Sequence, residues 1–203
     1  MSSPTTYRAV QGTAQALFTD RGSKFIGIVF PVRNAEEVKA ALAQVKKEHP
    51  KASHHCFAWR SGDTASEYRV SDAGEPSGSA GRPILGQIDS RGLTYTLVVV
   101  VRYFGGTLLG VPGLINAYKT AATLALQMVP VAEKDIEEPW VLHFEYSLMN
   151  DVMRILKRHR CSVVSQEMQL FVRLVTGIPI RGKEVCLQEL AQMHGVELEK
   201  GQN

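Results

Sequence analysis

Two glycine-rich stretches hold most of the residues that could do chemistry. The first, residues 71–83, carries Ser71, Asp72, Glu75, Ser77, Ser79 and Arg82 among Gly74, Gly78 and Gly81. The second, residues 102–113, sets Arg102, Tyr103 and Phe104 before Gly105, Gly106 and Gly110. Hydroxyls and backbone N–H groups in such loops form concave anion sites, and a guanidinium adds charge. At the second loop Arg102 would contact phosphate while Tyr103 or Phe104 stacks on a base. Tyr103 is the candidate stacker. Asp72 and Glu75 work against a pure phosphate site, and are expected to satisfy backbone N–H groups or pair with Arg82 or Arg102. A plainer reading makes the loops connectors whose glycines relieve steric strain.

Other chemistries fit less well. His54-His55-Cys56 invites a metal reading, but on a strand His54 and Cys56 share one face while His55 points to the other. Cys161 and Cys186 lack paired spacing, so no metal is expected. Residues 74–78 displace the serine of a G-x-S-x-G elbow by one place. No G-x-x-x-x-G-K-[ST] occurs. No motif asks for a cofactor.

The elements that must position these loops are legible from pattern. Leu97 to Val101 is a short, β-branched apolar run, as expected of a strand buried on both faces. Residues 112–128 read as a helix, so the second loop joins a buried strand to a helix N-terminus, where free N–H groups and the dipole favour negative charge. Upstream, residues 7–18 and 23–32 read as a hairpin turning at Asp20-Arg21-Gly22. A helix follows from Asn34, with Glu37 as a capping-box variant and Pro50 just beyond its end. Residues 53–60 and 68–70 read as strands, and 80–90 as a helix.

The composition shifts at Pro130. The charged stretch from Ala132 to Pro139 reads as a linker, dividing the chain into domains 1–133 and 134–203. Beyond it the predicted order is β-α-β-β-α-β, the ferredoxin-like arrangement, within about 65 residues. The fold class is therefore α+β, in two domains.

The bulk properties set limits. A chain of 203 residues with 44% hydrophobic residues has material for one large core or two small ones. The net charge of +3 is uneven: residues 1–133 carry +4 (14 basic, 10 acidic) and residues 134–203 carry −1 (9 basic, 10 acidic). A mild basic bias permits a polyanionic partner. Three scattered cysteines argue against a disulfide framework and fit a reducing compartment. No apolar run approaches ~18 residues and no secretory signal is evident, so no membrane partner and a cytoplasmic location are expected.

His54-His55-Cys56 with Ala58-Trp59, then residues 71–85, then Val99 to Gly110 together resemble the IMPACT/YigZ family, and the resemblance spans essentially the whole chain. It implies an N-terminal domain similar to domain IV of elongation factor G and to the second domain of a small-subunit ribosomal protein. It also implies a C-terminal domain similar to elongation factor G domain V. Eukaryotic relatives are linked to translational control. Two positions depart from the family's usual run: Val111-Pro112-Gly113 stands where glycine-glycine is common, and Leu114-Ile115-Asn116 where a basic residue often follows the leucine. Pro112 removes one backbone donor but suits a helical first turn.

The combined expectation is an RNA- or ribosome-binding protein acting in or around translation, with no catalytic residue assigned. Lys24, His54, Arg82, Arg102 and Lys119 would contact phosphate, and Tyr103 would stack. Ser71, Asp72, Gly74, Glu75, Gly78, Gly81, Gly105, Gly106 and Gly110 would shape the loops. Two alternatives stand beside it. One is an enzyme acting on a small phosphorylated or acidic ligand, with Asp72 or Glu75 as general acid or base. The other is a protein-interaction module with an apolar patch on Val163, Leu170, Val172 or Leu174.

Overall fold

The computed structural model describes residues 4–201. The chain divides into two compact units, residues 7–134 and residues 135–201 together with 4–6.

The larger unit is built on a five-stranded antiparallel sheet in the order β2-β3-β6-β4-β5, formed by β2 (Ala14–Asp20), β3 (Ser23–Pro31), β4 (His54–Ser61), β5 (Glu67–Ser71) and β6 (Thr96–Tyr103). The central strand β6 is buried at every residue except Tyr103, as its unbroken apolar run requires when helices cover both faces. On one face lies α1 (Ala35–Glu48), whose Val38, Ala41 and Val45 meet Ile28, Trp59, Leu97, Val99 and Val101. On the other lie α2 (Gly81–Ser90) and α3 (Gly110–Gln127), over Phe25, Val29, Cys56, Ala58, Val98 and Val100. The contact face of α3 is mostly alanine, so its backbone comes close to the sheet. A Cβ on Gly27 would overlap the Ala121 carbonyl.

The β2–β3 hairpin turns through Arg21 and Gly22, both at positive φ (43° and 82°), with Asp20 opposite Ser23. Such two-residue turns match the twist of the strands they join. Asn34 caps α1 through Glu37 N–H at 2.9 Å, but Glu37 reaches back to Arg33 N–H at 2.8 Å, one residue earlier than a regular capping box.

Two sequence expectations give way here. Residues 7–18 are not one strand: the chain breaks at residues 11–13, and β1 (Thr6–Val10) leaves the hairpin to pair with β7 (Val131–Asp135). The stretch read as a linker is therefore strand, and β8 (Glu137–Phe144) follows at once. Its charged residues mislead because a two-stranded ribbon needs little apolar alternation when neither face is fully buried.

In the second unit β8 is followed by α4 (Met149–Arg158), β9 (Ser162–Met168), β10 (Val172–Pro179), α5 (Lys183–Ala191) and β11 (Val196–Lys200). The four strands form an antiparallel sheet in the order β11-β8-β10-β9. Its core joins Leu142, Phe144, Leu174 and Ile178 to Val152, Leu156, Cys186 and Leu190 of the helices. Val172 and Leu174, expected in an exposed patch, are buried in this core, whereas Val163 and Leu170 are exposed. Cys161 and Cys186 lie with their Sγ atoms 3.7 Å apart, both as free thiols. No helix among the described residues is long and apolar enough to cross a membrane.

Candidate functional site

Strand register decides which predicted residues can meet. His54 of β4 and Phe25 of β3 both stand opposite Arg102 of β6, so all three share the face covered by α2 and α3. Cys56, two residues on, lies in the same core. Lys24 stands opposite Tyr103, on the α1 face. The candidate set is thus divided between two sides of one sheet.

On the α2/α3 face the two glycine loops converge on a buried polar centre. Glu75, whose side chain is only 4% exposed, accepts from Arg102 Nη1 at 2.6 Å and from the Tyr118 hydroxyl of α3 at 2.7 Å. The Arg102 side chain is 6% exposed, held between the Phe25 and Phe104 rings at 5.4 and 5.6 Å from their centroids. Its Nη2 lies 3.5 Å from Ser23 Oγ, which also accepts from Gly105 N–H at 3.1 Å, and its Nε has no hydrogen-bond partner among the described residues. His54 donates Nδ1–H to the Ala73 carbonyl at 2.9 Å; a carbonyl only accepts, so this contact fixes the tautomer. Its Nε2 is turned toward Glu75, 3.8 Å away. Burial pushes the Tyr118 hydroxyl far up, and the neighbouring Cys56 and Glu75 add to it. Burial likewise raises the Cys56 thiol to about 12, while its Sγ lies 3.0 Å from the Asp72 carbonyl. Neither group is a nucleophile near neutral pH.

Arg102 therefore does not stand free at the strand tip to meet phosphate: its charge is matched by Glu75, 27 residues earlier. The first loop is also occupied. The Asp72 carboxylate accepts from Gly78 N–H at 2.8 Å, Ala80 N–H at 3.0 Å and Gly81 N–H at 2.8 Å. Burial alone would raise the Asp72 carboxyl; the three backbone bonds outweigh it and hold the group below its ordinary value. The loop is an anion nest filled by the protein's own anion, and this same side chain caps the start of α2, which its flanking Ala80 cannot do. Ser71 Oγ accepts from Ala73 N–H at 3.3 Å, and Gly74 packs beside the His54 ring.

The second loop is fixed by close approach. A Cβ on Gly105 would overlap the Gly22 and Ser23 backbone, so only glycine lets this loop lie on the β2–β3 turn. Gly106 has positive φ, and Gly110 (φ 70°) opens α3, whose start has no side-chain cap.

Between the loops lies an open cleft of about 490 Å³. Ser53, His54, Glu75 and Arg102 contribute its polar part, and Pro76, Phe104, Leu108, Leu109, Val111 and Leu114 its apolar part. Phe104 and Val111 are about half exposed and Leu108 more so. Tyr103 takes no part in the cleft. Its hydroxyl lies 3.0 Å from His49 Nδ1, and its ring meets the His49 ring edge-on beside α1. The aromatic residue at the cleft is Phe104, the first residue beyond the end of β6. Lys24, Arg82 and Lys119 are exposed, and the Arg82 guanidinium lies over the Tyr68 ring at 5.6 Å. Ser53 carries no sequence signal of a site, and Leu108, Leu109 and Val111, though inside the second glycine-rich stretch, carry no polar group that would single them out.

These features define a two-unit mixed α/β protein with a mostly apolar cleft at the end of a buried strand. Residues 21–126 match the family model of the Impact N-terminal domain. The IMPACT family member YigZ of Escherichia coli (strain K12) is 35% identical over 159 residues, covering 77% of this chain and 78% of that protein. An IMPACT family member of Haemophilus influenzae is 33% identical over 172 residues, covering 84% of each. The crystal structure of a hypothetical protein superposes with a TM-score of 0.77 at 29% identity, covering 99% of this chain and 100% of that one. The chain belongs to the IMPACT family.

Proposed function

We propose that this protein binds RNA, free or on the ribosome, in a translation-related role and in the cytoplasm, with no catalytic activity assigned to it. The observation that carries the reading is the cleft between the two glycine loops, with half-exposed Phe104 beside polar His54 and Ser53. Family membership supports the translational setting, since the family resemblance links eukaryotic relatives to translational control. The β-α-β-β-α-β order and the antiparallel sheet order of residues 137–200 support a ferredoxin-like C-terminal domain and the likeness to elongation factor G domain V. A likeness of the N-terminal domain to elongation factor G domain IV belongs to the same proposal, as does the division at 133/134.

The enzymatic alternative is weakened by its own candidates. Asp72 is bonded to three backbone N–H groups and Glu75 to Arg102 and Tyr118. Both carboxylates are already engaged by the protein's own donors. Phosphate contact falls instead to the exposed cations Lys24, Arg82 and Lys119.

The test is nitrocellulose filter binding of single-stranded RNA, and cosedimentation with ribosomes, across a salt series. Each exposed cation that meets a phosphate should contribute about one unit to the salt slope. Lys24→Ala, Arg82→Ala and Lys119→Ala together are expected to weaken binding and flatten that slope. Affinity unaffected by both salt and the triple substitution would remove the proposal.

A further inference from the structure

We propose that the cleft receives a nucleobase, an uncharged planar ring, rather than a phosphate. The inference rests on the RNA-binding reading above and deepens it by assigning the contact made inside the cleft.

Charge is the first argument. The two ionic groups at the base of the cleft, Glu75 and Arg102, are each more than nine-tenths buried and neutralise one another at 2.6 Å. A phosphate entering beside His54 would approach the Glu75 carboxylate without a free cation to offset it, a costly arrangement away from water. The backbone donors of the first loop are already committed: Asp72 takes those of Gly78, Ala80 and Gly81. At the uncapped start of α3, Pro112 removes one of the remaining donors, which leaves that end a weaker anion site than a regular helix N-terminus.

Shape and polarity are the second. Phe104 offers an aromatic face, Leu108 and Val111 offer apolar contact, and about 490 Å³ lies within the range of small-ligand clefts. The Ser53 hydroxyl oxygen already accepts from Phe104 N–H at 3.3 Å, leaving its own proton to donate. With Nδ1–H committed to Ala73, Nε2 of His54 is an acceptor whenever it carries no proton. One donor and one acceptor beside an aromatic face complement the adjacent donor and acceptor that every nucleobase carries on its pairing edge. The base belongs either to an unstacked RNA residue or to a free nucleoside, and the experiment separates the two.

The experiment titrates the full chain, and its Phe104→Ala variant, with a single-stranded RNA decamer, an abasic decamer of the same backbone, free nucleosides and inorganic phosphate. Phe104 is half exposed, so the variant is expected to fold, which its melting curve checks. The RNA decamer should bind wild type about tenfold to a hundredfold more tightly than either the abasic decamer or the Phe104→Ala combination does. The salt slope should be unchanged by Phe104→Ala, because no phosphate contact is lost. Equal binding of the abasic decamer, or an unaltered affinity in Phe104→Ala, overturns the cleft assignment while leaving salt-dependent RNA binding in place. Nucleosides that bind and depend on Phe104, with no binding of RNA, support the assignment and remove the RNA reading. Displacement of bound nucleoside or RNA from the cleft by millimolar inorganic phosphate, or failure of both nucleosides and RNA to bind, overturns the proposal.

Discussion

Replacing Glu75 by alanine tests the buried polar centre directly. The substitution removes a carboxylate that is 4% exposed and leaves Arg102, 6% exposed, without its counter-charge. Breaking one side of a buried ion pair costs roughly 3–5 kcal/mol, chiefly because the surviving charge stays buried. The Tyr118 hydroxyl loses its acceptor in the same step, but water admitted to the vacated space offsets that loss, so the range stands. The two tryptophans fall in different units, Trp59 on β4 and Trp140 on β8, and a Trp140→Phe background lets Trp59 fluorescence follow the larger unit alone. At a urea slope of about 2 kcal/mol per M the midpoint should fall by roughly 1.5–2.5 M. Because the cost lies in an unmatched charge, Glu75→Ala combined with Arg102→Met should recover most of it. A fall below about 0.5 M in the single variant, or a double variant no more stable than the single, would refute the reasoning.

Other outcomes follow from neighbouring contacts. Asp72→Asn should cost about 2 kcal/mol, since a charged acceptor of three N–H groups becomes a neutral one, read by urea unfolding at neutral pH. The Asp72 carboxyl is held below its ordinary value in the folded chain. Its contribution is therefore complete above the unfolded value of about 3.9 and fades as pH falls through the lower folded value. Unfolding curves between pH 2 and 6 should show a shallower acid loss in Asp72→Asn. Gly105→Ala, whose methyl would overlap the β2–β3 turn, should cost roughly 3 kcal/mol by overpacking, measured by thermal melting. Tyr118→Phe should cost only about 1 kcal/mol, because Glu75 keeps its bond to Arg102, and urea midpoints would show the difference from Glu75→Ala.

Local pattern made much of the fold legible. The apolar run in β6, the helix after Gly110 and the β-α-β-β-α-β order each depend on periodicity or turn chemistry within a short window. So does the division of His54 and Cys56 from His55. What escaped the sequence depends on partners far along the chain. The β1–β7 pairing joins segments more than a hundred residues apart. The sequence offers backbone N–H groups, Arg82 or Arg102 as partners for the two loop carboxylates, and the structure uses two of these, but the sequence does not say which carboxylate takes which. Asp72 and Glu75 look alike in sequence, yet one binds backbone and the other binds a guanidinium. The choice between Tyr103 and Phe104 turned on which face of β6 meets α1, and neither residue type encodes that. Cys161 and Cys186 show the same limit: spacing of 25 residues predicts nothing, and packing of α5 on the sheet brings the sulfurs together.

The self-filled nest of Asp72 has a kinetic meaning. A loop that borrows its shape from a guest must order itself at each encounter, and that delay and entropy weaken capture. Here an internal side chain holds the turn in place beforehand, so one wall of the cleft is rigid before anything arrives. Recognition should then resemble a key meeting a finished lock, with arrival rates set by diffusion and differences among guests expressed in how long each one stays.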